Sequence, residues 1–201
     1  MAVRAALLLT LTAVSVSALG FTPDSPCAAV CIDSPDPDHP SGPGSSDTRA
    51  ADVVCEDEPL RSSPRGQKFQ RCLGCLQGSA FAQGSESDQA WFLDNLRYAV
   101  DYCVLGYPNA TGVGSNPCMT SDACGRLAGA LEDGIEDPSG AERFGYCDVD
   151  GGAMLGSSFD GCLQCVQAGS SHAYLTNFLI ALAAGCAQKP APGLLLGLNA
   201  T

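Results

Sequence analysis

Cysteine spacing constrains this 201-residue chain more than any other feature, because its twelve cysteines form two sets of six in the same order. Successive cysteines are 4, 24, 17, 3 and 28 residues apart in the first set, and 6, 23, 15, 3 and 21 in the second. Each set opens on a Pro-Cys pair and contains one Cys-x-x-Cys motif. The first set is Cys27, Cys31, Cys55, Cys72, Cys75 and Cys103, and the second is Cys118, Cys124, Cys147, Cys162, Cys165 and Cys186. The shared order predicts two modules that arose by duplication.

The segments that end the two sets also match. When Cys103 is aligned with Cys186, Trp91 falls on Tyr174, and further apolar positions coincide at helical spacing. Both segments are therefore expected to bury the same face of a helix. The fold class that follows is mainly α, with two tandem disulfide-stapled helical-hairpin modules and long loops. The predicted divisions are a signal peptide (1–20), six-cysteine helical module 1 (21–110), six-cysteine helical module 2 (111–190) and a C-terminal tail (191–201).

Apolar periodicity and capping residues predict the individual helices. Module 1 should contain a helical turn over 26–32 and helices over 67–81 and 88–103, the last capped by Ser87 or Asp88. Module 2 should contain helices over 119–131, 159–167 and 171–187. The helix over 171–187 is the most apolar, and we expect it to be the most buried helix of the chain.

The N-terminus has the pattern of a secretory signal peptide. Arg4 precedes a short apolar run, and small residues follow at positions 16–20. The run is too short for a bilayer span of roughly 20 residues. Cleavage after Ala18 and cleavage after Gly20 both fit the pattern. The chain is therefore expected to be secreted.

Secretion predicts that the cysteines form six disulfides, although six cysteines in a module allow 15 pairings. Two cysteines three residues apart on a helix share a face, so they should bridge outward rather than to each other. We expect Cys72 or Cys75 to join Cys103, and Cys162 or Cys165 to join Cys186. A redox centre or half of a zinc site is the alternative for Cys-x-x-Cys, but the strand-to-helix setting of redox motifs is missing. No metal or cofactor is expected.

The charge balance limits the partners. Asp and Glu outnumber Lys and Arg by 22 to 10, so the net charge of −12 opposes binding to nucleic-acid phosphates. The partner is expected to be a cell-wall or host component of unknown identity.

Residues that could support catalysis are few. The two histidines are His39, in a Pro-rich loop, and His172, near the start of a predicted helix. Neither a Gly-x-Ser-x-Gly elbow nor a His-Glu-x-x-His zinc motif is present. Acid pairs such as Asp148 with Asp150, or Glu132 with Asp133, fit a solvated acidic surface, so no catalytic residue is expected.

Other motifs predict surface features. Asn109 and Asn199 begin Asn-x-Thr glycosylation sequons. Trp91 and Phe92 are interpreted as core residues because they align with apolar positions of module 2. Tyr98 and Tyr102 align with small residues and are the better candidates for a surface.

Two stretches resemble a known group of proteins. Residues 87–99 (SDQAWFLDNLRYA) and 174–193, with YLTNFL and AGCAQKPAPG, are similar to uncharacterised Cys-rich secreted or cell-surface proteins of filamentous ascomycete fungi. Some of these are labelled cell-wall-anchor-like, and many continue into a Ser/Thr-rich stalk and a transmembrane segment. The resemblance covers most of residues 24–199 and implies no activity. This chain ends at Thr201 after a short apolar run, so it is either soluble or cut short.

These observations lead to one expectation and two alternatives. The chain is expected to be a non-enzymatic secreted protein with a cell-surface, wall-associated or effector-like role, and to be extracellular. The alternatives are a secreted hydrolase acting on wall polymers and a small-ligand binding module.

Overall fold

The computed structural model of the chain describes residues 19–32, 48–108, 118, 122–135 and 142–198. We refer to the residues up to 108 as the first half and to those from 118 onward as the second half. The helices of the first half are α1 (Ala28–Cys31), α2 (Asp57–Ser62), α3 (Pro64–Gly78) and α4 (Asp88–Val100), and a π-helical turn (Asp101–Leu105) continues α4. The second half contains α5 (Asp122–Gly125), α6 (Ala128–Glu132), the 3-10 turns Gly145–Cys147, Val149–Gly151 and Ala153–Leu155, then α7 (Ser157–Gln167) and α8 (Ala173–Gln188). The mainly helical fold class is confirmed.

Helix α3 begins three residues earlier than the apolar pattern predicts. Ser63 caps it, because its hydroxyl accepts a hydrogen bond from the Gly66 amide at 3.0 Å, and Pro64 occupies the first helical position. The preceding helix α2 was not predicted. A β-carbon at Gly66 would lie 2.3 Å from the Pro59 carbonyl oxygen, so the glycine allows α2 and α3 to pack closely.

A two-residue hairpin joins α3 to α4. Strands β1 (Ala82–Gln83) and β2 (Glu86–Ser87) pair antiparallel. Ser87 is the N-cap of α4, since its hydroxyl accepts from the Ala90 amide at 3.3 Å, which confirms one of the two predicted caps.

Two predicted helices differ from the structure. The single helix expected over 88–103 ends as an α-helix at Val100 and continues as the π-helical turn. The helix expected over 119–131 is instead the two short helices α5 and α6, and residues 119–121 lie outside the described residues. Gly125, which favours helices poorly, ends α5.

The prediction that the helix over 171–187 is the most buried is wrong. Helix α4 buries 11 of its 13 residues, whereas α8 buries 8 of its 16. The reason is that α4 packs against α3 on one side and α8 on another, and its polar side chains find partners inside the protein. Apolar composition alone therefore did not identify the central helix.

All twelve cysteines form disulfides, as predicted, and the pairing order is the same in both halves. The first half contains Cys27–Cys75, Cys31–Cys72 and Cys55–Cys103, and the second contains Cys118–Cys165, Cys124–Cys162 and Cys147–Cys186. Corresponding Cα–Cα distances are 5.7, 4.8 and 5.3 Å in the first half and 5.8, 4.4 and 5.3 Å in the second. The repeated connectivity supports the duplication.

The expected partners of Cys103 and Cys186 are wrong. Cysteines of the Cys-x-x-Cys motif do bridge outward, but their partners are the first two cysteines of each set. In the first half, Cys27 and Cys31 lie about one turn apart and face the motif on α3, so two bridges form side by side. The last cysteine of each set, Cys103 or Cys186, instead joins the third.

One hydrophobic core extends through both halves. Helix α4 of the first half packs against α8 of the second. Phe69 of α3 meets Phe178 of α8 edge to face, with 6.0 Å between the ring centroids. The proposed module boundaries stay a prediction.

The described part of the C-terminal tail is docked on the helices. Leu196 is 6% exposed, and its amide donates to Gln89 Oε1 of α4 at 2.9 Å. Gln188 forms two reciprocal hydrogen bonds with the backbone of Gly197, at 2.8 and 2.9 Å. These hydrogen bonds hold the tail against α4 and α8.

Candidate functional site

The π-helical turn at the end of α4 places a carboxylate inside the protein. Its last hydrogen bond runs from the Gly106 amide to the Asp101 carbonyl oxygen at 3.0 Å, and Gly106 then adopts a φ of 80°. Such turns carry one extra residue and are frequent at functional sites. Helix α6 of the second half packs against both α4 and this turn. The Asp101 side chain therefore lies where the two halves meet.

The Asp101 carboxyl group is buried without a hydrogen bond. Its residue is 0% exposed, and among the described residues neither carboxylate oxygen has a hydrogen-bonding partner. Burial raises the pKa of Asp101 from 3.8 to about 7, because the charged form loses its hydration. The negative charge of Glu132 adds to the rise, and the positive charge of Arg97 opposes it. The group therefore changes its charge close to neutral pH.

Arg97 links the same region of α4 to the second half. Its guanidinium donates to Asp94 Oδ1 at 2.9 Å, and both side chains are nearly buried. The guanidinium carbon also lies 5.0 Å from the centre of the Tyr146 ring, a cation–π contact between the halves. Tyr146 donates its hydroxyl to the Leu182 carbonyl oxygen at 3.4 Å, and burial raises the pKa of this hydroxyl. We call Asp94, Arg97, Asp101, Glu132 and Tyr146 the seam cluster.

A second contact between the halves caps helix α8. The carboxylate of Asp57 accepts hydrogen bonds from the amides of Ala173 and Tyr174, both at 3.1 Å. The Asp57 amide donates to the Ser171 carbonyl oxygen at 2.9 Å, and Tyr174 donates its hydroxyl to the Val54 carbonyl oxygen. A carboxylate at a helix N-terminus satisfies free amides and complements the helix dipole. The first half therefore completes a helix of the second.

The seam cluster can bind and release a proton at the Asp101 carboxyl group, which is shielded from water. Because Asp101 has no exposed surface, a substrate in solution does not touch it in this conformation. A separate shallow cleft of about 260 Å³ lies on the second half, lined by Ala123, Arg126, Ser157, Ser158 and Gly161. None of the described residues that line this cleft belongs to the seam cluster.

The residues singled out in the sequence have varied placements. Trp91 and Phe92 are core residues, at 5% and 4% exposure, as predicted. Tyr98 and Tyr102 are half-buried and stack on each other, with centroids 6.4 Å apart. His172 is half-buried before α8.

Three predicted sites cannot be placed. His39 and the sequons at Asn109 and Asn199 lie outside the described residues.

The acidic pairs are not brought together as a site. Asp148 is exposed and forms an ion pair with Lys189 at 3.1 Å. Asp150 is also exposed and has a φ of 51°. Glu132 is the exception, because its charge acts on the buried Asp101.

The sequence did not identify the seam cluster. A signal was present: Asp94, Arg97 and Asp101 recur at steps of three and four, so these charged residues share one face of the helix and of the turn that continues it. That pattern commonly marks a solvated face, and only the packing of α6 reveals that this face is covered.

Comparison with known proteins returned nothing, as no protein-family model, curated protein or solved structure matches the chain. Within the part of the chain that the structure describes, no group of three or more His, Cys, Asp or Glu side chains is placed to hold a metal ion. Over the same residues, no helix has both the length and the apolar character needed to cross a bilayer.

Proposed function

We propose that this chain is secreted and acts without catalysis at a cell surface, as a wall-associated or effector-like protein. Six disulfides and a mainly helical fold support this proposal, because they are typical of a stable, cysteine-rich extracellular protein. The proposal includes kinship with the Cys-rich surface proteins of filamentous ascomycetes and a wall or host component as the partner.

One observation supports the non-enzymatic role. Arg97 of α4, which pairs with Asp94 on the same helix, covers the Tyr146 ring of the second half, so this interior charge contributes to the contact between the halves. Such an arrangement favours a rigid scaffold that presents its surface to a partner. Acidic composition then favours a partner that is neutral or basic, because like charges repel.

The test is to fractionate the producing cells into medium, wall and membrane, and to measure the intact mass of the deglycosylated protein. Recovery in the medium or the wall, with a mass that corresponds to six disulfides, is the expected result. A reduced intracellular chain would refute the proposal. Binding to isolated walls, compared with binding to protein-free beads of equal surface area, then distinguishes the wall-associated role from a free effector.

A hydrolase acting on wall polymers is the second candidate, and one observation favours it. The pKa of Asp101 is about 7, and the negative charge of Glu132 contributes to this rise. Two carboxyl groups whose pKa values differ serve as acid and base in glycosidases. The assay is the release of reducing ends from soluble β-glucan and chitin. We expect no release above a heat-denatured sample. Release that Glu132→Gln abolishes and the neighbouring Asp133→Asn leaves intact would establish the hydrolase instead.

A further inference from the structure

Residues 19–22, which begin at the earlier of the two predicted cleavage sites, contact a group of buried side chains. Leu19 is 1% exposed and Phe21 7% exposed, and both belong to the hydrophobic core. Residues 19–22 lie along α4, where polar side chains meet their backbone. We call Thr48, Asp88, Trp91 and Asn95 the receptor group.

Asn95 binds both backbone groups of Gly20. Its Nδ2 donates to the Gly20 carbonyl oxygen at 2.7 Å, and its Oδ1 accepts from the Gly20 amide at 3.1 Å. The Thr48 hydroxyl accepts from the same amide at 3.1 Å. Asn95 is 0% exposed, so these bonds form away from water, where an unpaired amide is costly.

Two further contacts fix the segment in register. The Thr22 amide donates to Asp88 Oδ1 at 3.3 Å, and Asp88 is also fully buried. A β-carbon on Gly20 would lie 2.5 Å from Cε3 of Trp91, so only glycine fits against that ring. The small residue at position 20, which also suits a signal-peptide cleavage site, is thus required by packing.

The second half does not repeat the receptor group. With Cys103 aligned to Cys186, Asn95 corresponds to Phe178 and Asp88 to Ser171. Because the duplicated helix has neither the amide nor the carboxylate, these two side chains are not a general requirement of the fold. In the first half both bind the segment 19–22, although Asp88 also accepts hydrogen bonds from the Ser25 and Ser79 hydroxyls.

We propose that signal peptidase cleaves between Ala18 and Leu19, and that the new N-terminus Leu19-Gly20-Phe21-Thr22 occupies the receptor group as a structural part of the mature protein. This inference depends on the proposed secretion. Cleavage after Gly20 fits the sequence equally well, but it would remove the two residues that fill this site. It would remove both hydrogen bonds between Asn95 and Gly20, so that Asn95 keeps the Trp91 carbonyl oxygen and the Thr48 hydroxyl as partners, and it would uncover the Trp91 face.

The cleavage product is compatible with the site. The Leu19 nitrogen lies 3.3 Å from the Cys31 carbonyl oxygen and donates to it. After cleavage between Ala18 and Leu19 this nitrogen becomes an ammonium group, which still needs acceptors, and the Cys31 carbonyl supplies one. The peptide bond to Ala18 is hydrolysed, so Ala18 gains a carboxylate and Leu19 an amine.

The deciding experiment is N-terminal sequencing and intact mass of the protein secreted from its full-length chain. A start at Leu19 is expected. A start at Phe21 or any other position within a secreted protein would overturn this inference and leave the proposed secretion intact. An uncleaved chain retained in the cell would overturn both.

The role of the receptor group has its own test. Two mature forms, made behind a cleavable leader so that one starts at Leu19 and the other at Phe21, are compared by thermal unfolding. We expect the shorter form to melt about 10 °C lower, since it loses a buried leucine and several buried hydrogen bonds. Equal melting temperatures would refute the structural role of residues 19 and 20.

A matched pair of substitutions tests Asn95 itself. Asn95→Asp removes the donor to Gly20, whereas Asn177→Asp makes the same change at an exposed position of α8. We expect the first to lower the melting temperature of the Leu19 form but to change the Phe21 form much less. A loss of equal size in both forms would show that Asn95 acts independently of the N-terminus. If Asn95→Asp does not fold, the sequencing result still decides the cleavage site.

Discussion

Replacing Asp101 with Asn should remove a pH dependence of stability that the fold builds in. The pKa of Asp101 is 3.8 in the free side chain and about 7 in the folded protein. Between these values the folded chain keeps a proton that the unfolded chain has released. The free energy of unfolding therefore falls as the pH rises through this window, and the contribution levels off above the folded pKa.

The change in the free energy of unfolding follows from the difference between the two pKa values of Asp101. At about 1.4 kcal/mol for each unit of pKa difference, Asp101 costs the folded state about 4 kcal/mol at pH 8 relative to pH 3.5. Glu132 and Arg97 face the same carboxyl group with opposite charges. An amide at position 101 does not titrate, so the Asp101→Asn variant should gain stability relative to the wild type by this amount as the pH is raised.

Urea unfolding with the disulfides intact measures the effect, followed by the fluorescence of the single tryptophan. The quantity of interest is the variant-minus-wild-type difference at each pH, because the other carboxylates then cancel. Asp160→Asn, which makes the same change at an exposed position of α7, is the control. A difference for Asp101→Asn that stays constant between pH 3.5 and 8 would refute the argument.

Three further predictions concern packing, capping and disulfides. Gly185→Ala should cost about 1–3 kcal/mol, because the new β-carbon would lie 2.7 Å from Leu93 Cδ1, whereas Gly74→Ala faces open space and should be neutral or stabilising. Asp57→Ala should lower the free energy of unfolding by about 1–2 kcal/mol through loss of the α8 cap, and Asp57→Asn by less. Removing Cys55–Cys103, whose cysteines are 48 residues apart, should cost about 4 kcal/mol in the same urea assay, and a loss below 1 kcal/mol would contradict the chain-entropy account.

The sequence predicted a helix well where residues close together in the chain determine it. Ser87 was identified as a possible cap because a capping residue acts within three positions of itself. The helix over 159–167 was predicted within two residues of its observed start at Ser157. The separation of α5 from α6 was missed, since the disulfide from Cys124 to Cys162 and the packing of α6 on α4 are tertiary contacts.

Disulfide pairing and the burial of charges depend on contacts between helices that are distant in the sequence. The spacing of Cys72 and Cys75 indicated that both bridge to cysteines elsewhere in the chain, but not that these lie on α1 and just before it. Asp101 has the residue type of a solvated surface, and its burial depends on the approach of the second half. The sequence therefore predicted the helices and the disulfide-forming cysteines, but it did not predict the seam cluster.

The pairing order has a consequence for how the protein is made. Every disulfide joins two cysteines of the same set, so in a chain secreted as we propose the three bridges of the first half can close once Cys103 has entered the oxidising compartment. Translation delivers the second set only afterwards, which limits scrambling between twelve thiols that would otherwise be present together. The amides that the Asp57 carboxylate caps belong to α8, the last described helix to be synthesised, so this contact forms late. A chain released before α8 would lack Cys186, so Cys147 would have no disulfide partner, and the contacts that α8 makes with α4 and with Asp57 could not form.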